Sequence, residues 1–182
     1  MDLTHELTEQ LAWHWDNHVR PRLAGLTDDE YFWEPVAGCW SIRRCDEART
    51  SMAAGGGDWV ADFEFPEPQP APFTTIAWRL AHLRVGIFGA RNASHFGGPP
   101  IDYQTVDWAG DAKAALAQLD EQYDRWVASV STVDETALAR PIGDKEPYPD
   151  LPVAALVLHI NREAIHHASE VLVLRDLYRG RA

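Results

Sequence analysis

Leu3, Leu7, Leu11, Trp15, Val19 and Leu23 recur at steps of four with polar residues between them, which predicts a first amphipathic helix over about residues 3–23. Pro21 is expected to perturb only its last turn. Thr27-Asp28-Asp29-Glu30 reads as a capping box opening a short helical segment that stops near Pro35, with Thr27 accepting from backbone N–H groups and Glu30 reaching back. Between Arg43 and Pro72 the pattern breaks. Gly55-Gly56-Gly57 followed by Pro66, Pro68, Pro70 and Pro72 cannot continue a helix, so a long, partly polyproline-like connection is expected, a crossover or a lid. Thr74 or Thr75 then caps a second long helix running towards Arg91. Ile76, Leu80, Leu83 and Ile87 form its apolar stripe, and Trp78 and His82 lie on another side.

After the Gly97–Pro100 stretch, Leu116, Leu119, Tyr123, Trp126 and Val130 keep a strong helical period and predict a third long helix. Thr132-Val133-Asp134-Glu135 repeats the capping-box pattern beyond it. A loop with Pro141, Gly143, Pro147, Pro149 and Pro152 leads to the last helix, from about Pro152 to Tyr178, expected to end before Gly180. Four long helices and no convincing period-two strand predict an all-α four-helix bundle, one domain over residues 1–182.

Composition narrows the function classes. A net charge of −12, from 16 basic and 28 acidic residues, argues against a nucleic-acid or anionic-membrane partner, because nothing offsets phosphate repulsion. No apolar run reaches the roughly 18 residues of a membrane span, and MDLTHELTEQ carries acids where a signal peptide carries base. A soluble, cytoplasmic protein is expected, with a core rich in the eight tryptophans. Cys39 and Cys45 stand in no Cys-x-x-Cys motif and are expected to be free thiols.

The last helix carries the candidate chemistry. Val153, Val157, Ile160, Ala164, Ala168 and Val171 share one azimuth; His167 lies about 40° from its centre and Glu163 about 80°, whereas His166 and His159 lie about 120° or more away. Glu163 and His167, four apart, therefore point the same way at the edge of the core and make half of a metal site. His82 on the second helix is the candidate third ligand. The spacing also fits an exposed Glu–His hydrogen-bonded pair and a lone histidine satisfied in the core. His14 and His18 form a rival pair on the solvated side of the first helix, and His5 and His95 have no partner at ligand spacing.

The segments TTIAWRLAHL, HINREAIHHASEVLVLRDLY and WEPVAGCWSIR together resemble the DinB-like superfamily, which includes thiol-dependent S-transferases and maleylpyruvate isomerase. The resemblance covers nearly the whole chain. It implies a four-helix bundle with a long crossover connection and a divalent metal, zinc or nickel foremost, held by His82, Glu163 and His167. Many members have histidine where this chain has Glu163, whereas the mycothiol-dependent maleylpyruvate isomerase branch is similar in its Glu-x-x-x-His. Glu170, one turn beyond His167, either holds a ligand imidazole or faces solvent. Arg84 and Arg162 either receive an acidic substrate or thiol carboxylate or form surface ion pairs; Trp33, Trp40 and Trp78 read as core, and Trp40-Ser41-Ile42-Arg43 as a turn packing the loop on the bundle. The function implied is a metal-dependent S-transferase or isomerase using mycothiol or bacillithiol on a small-molecule electrophile, as a homodimer. The alternative is a non-catalytic, stress-associated helical bundle for binding or dimerisation, with a vestigial metal site.

Overall fold

The fold is all-α. In the computed structural model, which describes residues 1–181, the first helix runs through Leu3–His14, widens to a π-helical stretch at Trp15–Val19 and closes as an α-helix over Arg20–Leu23. Pro21, which has no N–H to give, follows that shift in the hydrogen-bond ladder directly, so the helix passes through it. The stripe from Leu7 to Leu23 is buried as its period predicts, and only Leu3 at the open end is exposed. The second helix spans Ile76–His82, a π-helical stretch at Leu83–Gly89, and Ala90–Phe96, a turn longer than its stripe predicts. Thr75, not Thr74, caps it, accepting from Trp78 N–H at 3.3 Å. The third helix is Ala112–Val130, capped by Asp111, and the last is Val153–Gly180, a single run that includes Gly180.

Cross-bundle hydrogen bonds give the helix directions. Asn161 Nδ2 donates to Leu7 O at 2.7 Å and Arg175 Nη2 to Ala24 O at 3.0 Å, so the first and last helices run parallel. Thr4 meets Val133 at 2.6 Å while Arg20 meets Asp120 at 2.8 Å, so the third is antiparallel to the first. Arg79 pairs with Glu170 at 3.2 Å, and Arg91 shares a cavity wall with Leu156, so the second is antiparallel to the last. The two middle helices are therefore parallel, and the chain between them, residues 97–111, must travel the length of the bundle.

That segment is the crossover. The longer connection from the first to the second helix joins antiparallel neighbours at one end and is not a crossover, contrary to the expectation for Arg43 to Pro72. It also holds the strands that the hydropathy pattern does not show: Ile42–Arg44 pairs antiparallel with Trp59–Ala61, Arg43 opposite Val60. Here it forms a cap tied to the crossover. Trp108 Nε1 donates to Ala54 O at 2.7 Å, Gly56 N to Val106 O at 2.8 Å, and Tyr31 Oη to Ala109 O at 3.2 Å. A Cβ at Gly56 would lie 2.7 Å from the carbonyl carbon of Thr105, so the glycine run permits a close backbone approach rather than a loose linker.

Local capping follows the sequence at one box and departs from it at the other. Thr27 and Glu30 form the reciprocal pair, at 2.9 and 3.2 Å, opening a helical turn over Asp28–Tyr31 that ends before Pro35. At the second box Asp134 is the cap of Glu135–Leu138, while Thr132 turns back to Ser129 O at 2.7 Å. A carboxylate two residues on out-competes the threonine hydroxyl. Cys39 and Cys45 are free thiols, one buried and one exposed. No helix among the described residues is long and apolar enough to cross a membrane.

Candidate metal centre

His82 ends the α-helical part of the second helix, and the π-helical stretch begins at the next residue. Trp78, one turn earlier, stacks on its ring at 5.3 Å and 14°. Tyr103 comes from the crossover and brings its hydroxyl to 2.9 Å from His82 Nδ1. The approach depends on Gly86, where a Cβ would stand 2.9 Å from His82 Nδ1 and collide with the Tyr103 hydroxyl. Burial, with smaller repulsion from His167 and Arg79, pushes the His82 pKa down to about 4, so the ring is neutral near pH 7, the form that binds metal.

His167 projects from the last helix edge-on to His82, with ring centroids 4.8 Å apart and planes at 86°. Its Nδ1 lies 2.7 Å from Glu170 Oε2. A carboxylate only accepts, so Nδ1 carries the proton, and Arg79, 3.3 Å away, is a neighbouring cation rather than its donor. Arg79 Nε instead pairs with Glu170 at 3.2 Å. The other ring nitrogen, Nε2, faces Glu163 Oε2 at 3.8 Å. Glu163 Oε1 is held by Arg162 at 3.2 Å and lies 3.6 Å from His159 Nδ1. Each of the three side chains is thus gripped on one side: His82 and His167 by Nδ1, Glu163 by Oε1.

Of the sequence-predicted trio, His82 meets His167 edge-on and His167 faces Glu163, but the three do not close into a group with one ligand atom each in reach of a shared ion; their neighbours sort into roles the sequence left open. Glu170 turns to His167 rather than to solvent. Arg162 is exposed but spends its guanidinium on Glu163 and His159. Arg84 does not face the trio; its Nη1 ties down the crossover through Asp107 O at 2.9 Å. Tyr103 and Arg79 are the functional neighbours that sequence reading missed. Arg79 could have been found three residues before His82 on the same helical face, whereas Tyr103 lies in a loop with no period. Trp40 is core, Trp33 packs edge-on to Tyr178, and Trp78 is a wall beside His82 rather than core alone.

Among the described residues the donors that do stand close together are a different set, sharing His167. One ligand atom from each of His166, His167 and Glu170 lies within 4.8 Å of the others. His166 is 62% exposed on its side chain, while His167 is 12% exposed, as the helix angle predicts. His14 and His18 pack with ring centroids 5.6 Å apart, without a third donor among the described residues. His95 finds a partner in Glu146 at 3.1 Å, far along the second helix from the trio.

Three cavities adjoin the centre. One of about 260 Å³ lies against His82 and Trp78, one of about 430 Å³ beside His159 and Arg162, and one of about 440 Å³ beside Arg79 and Glu170. A protein-family model described as the DinB superfamily matches residues 10–171. No curated protein and no solved structure matches the chain significantly.

Proposed function

The chain belongs to the DinB superfamily, and from that premise we propose that it is a divalent-metal-dependent enzyme whose ion is held by His82 Nε2, His167 Nε2 and the Glu163 carboxylate. One observation carries this reading. The grips of Tyr103 on His82, Glu170 on His167 and Arg162 on Glu163 leave three donor atoms, Nε2, Nε2 and Oε2, without a protein hydrogen bond. Metal-binding histidines commonly donate their second ring N–H to such partners, which fixes the tautomer and ring orientation. Two imidazoles and a carboxylate suit zinc and nickel and leave coordination positions for a substrate.

A divalent ion held there would supply a Lewis acid that lowers the pKa of a bound small thiol and keeps it as thiolate. Everything else is the work of the chain. Tyr103 and Trp78 hold the His82 ring in plane and position, Glu170 sets the His167 tautomer, and Arg79 offsets the Glu170 charge. Neither cysteine is needed as nucleophile. Cys39 Sγ donates to Val36 O at 3.0 Å and Cys45 Sγ to Gly57 O at 3.2 Å, both away from the trio. The thiol would be a low-molecular-weight one such as mycothiol or bacillithiol, with the likeness of Glu-x-x-x-His to the mycothiol-dependent branch favouring the first, and the partner substrate would be a small electrophile.

The group His166, His167 and Glu170 supports a second assignment of the ligands. We rank it second, because it draws on exposed His166 and leaves the part-buried, neutral His82 without a role, although its donors stand closer together. Elemental analysis separates the two. His82→Ala removes the metal and His166→Ala retains it under the assignment made here; the reverse pattern supports the second.

A further inference from the structure

The cavity of about 260 Å³ beside His82 is walled by Trp78, Phe63 and Tyr103 together with the small side chains of Ala54 and Ala61. Its polar neighbours are already engaged. Asp62 is fully buried and accepts from Arg43 Nε at 2.7 Å, Ser41 N at 3.1 Å and Arg49 N at 3.3 Å. Trp78 Nε1 donates to Asp62 O at 2.9 Å, and the Tyr103 hydroxyl is 2.9 Å from His82. The side-chain amide of Gln104, an exposed residue, is the one polar side chain of the lining without such a partner.

No lysine or arginine lines this cavity. In the metal-free protein an anion entering it would exchange its hydration for the Gln104 amide alone, whereas an ion on His82 would attract it. The cavity beside His159 differs, because it is lined by charged side chains, Arg91 paired with Glu146 and Arg162 paired with Glu163. Three aromatic side chains and two alanines favour instead the flat faces of a ring. An apolar protein cavity of about 150 Å³ takes up benzene, so this one has room for one or two fused rings.

We propose that this cavity is the electrophile subsite and that it takes a neutral, planar aromatic molecule of one or two rings, bound between Trp78, Phe63 and Tyr103 with its edge towards His82. Its place in a reaction rests on the reading of His82 as a metal ligand; its ability to bind such a molecule does not. Gln104 supplies a hydrogen bond to a polar substituent at the rim.

Calorimetric titration with 2-naphthol and 2-naphthoate, which share shape and differ in charge, tests the assignment. The same preparations are assayed for metal. In chelator-treated, metal-free protein the neutral compound is expected to bind about tenfold or more tighter than the anion. Ala61→Leu fills the cavity and Phe63→Ser removes a half-exposed wall without touching the bundle core; each is expected to weaken 2-naphthol binding about fivefold or more with the metal content unchanged. Naphthoate binding to metal-free protein as tightly as naphthol, or naphthol binding that neither substitution alters, overturns the proposal. Metal-loaded protein that binds no naphthol overturns the subsite while the metal centre stands. Naphthol bound by protein that takes up no zinc or nickel, and lost in Phe63→Ser, supports the cavity and counts against the metal reading.

Discussion

Glu170 holds His167 by its Nδ1 at 2.7 Å, and that contact decides which nitrogen of the ring is turned to Glu163. The two residues are three apart on one helix, so the grip is built into the helical spacing itself. The carboxylate is in turn fixed by Arg79 from the neighbouring helix at 3.2 Å. A metal bound by His167 Nε2 therefore depends on a residue that does not touch it.

Glu170→Ala is expected to leave the bundle folded and to lower metal affinity by about 10- to 100-fold, the usual cost of losing a partner of a ligand histidine. Competition against a chromophoric chelator measures it. An unchanged affinity would mean that the His167 tautomer is set by something else.

Tyr103→Phe and Gly86→Ala are expected to resemble each other in metal affinity. The first deletes the hydroxyl that meets His82 Nδ1; the second drives the same hydroxyl away, because its Cβ would occupy the contact. The crowding of a Cβ against Tyr103 and the His82 ring costs about 1–3 kcal/mol and offsets alanine's helix preference of about 1 kcal/mol, so Gly86→Ala should lower Tm slightly as well as affinity, whereas Tyr103→Phe should hold Tm while weakening metal binding. A parallel loss of stability and affinity in Tyr103→Phe would point to general damage instead.

The helix wheel separates His167 from His166 before any coordinates, since one lies near the core stripe and the other far from it, and the structure bears this out in their exposures. Helix existence is equally legible, because each stripe buries one continuous face. What the pattern cannot carry is direction. Which loop crosses the bundle depends on how the four stripes pack together, so the proline-rich segment reads as a crossover or a lid, whereas residues 97–111 make the crossing. The strands at Ile42–Arg44 and Trp59–Ala61 are three residues each, too short to show a period, and their pairing is long-range. Tyr103 escaped for a similar reason: its loop position is set by Gly86 and by the crossover's contacts, neither of which leaves a mark in hydropathy.

Glu30 makes stability depend on pH. Burial alone would raise its pKa, but hydrogen bonds from Arg175, the Thr27 N–H and Arg179 outweigh it and hold it down to about 2. A carboxyl depressed in the folded state stabilises at pH values above its unfolded pKa, and that contribution, about 3 kcal/mol, is lost as pH falls from about 4.5 towards 2. Thermal melts across this window should show a falling Tm in the native chain. Glu30→Gln should be less stable by about 3 kcal/mol or more at pH 7, because Arg175 is left buried without its counter-charge, and its Tm should fall less steeply with acid. Equal slopes for the two proteins would remove Glu30 as the cause.

The central claim is that His82, Glu163 and His167 hold a metal ion together. Elemental analysis of purified, untagged protein after dialysis addresses it directly, with His82→Ala, Glu163→Ala and His167→Ala prepared alongside. The expected result is about one equivalent of a divalent ion, zinc or nickel, in the native protein and a large loss in each variant that still shows native helical content. Less than about a tenth of an equivalent in the native protein, with none taken up on addition of zinc or nickel, would contradict the account.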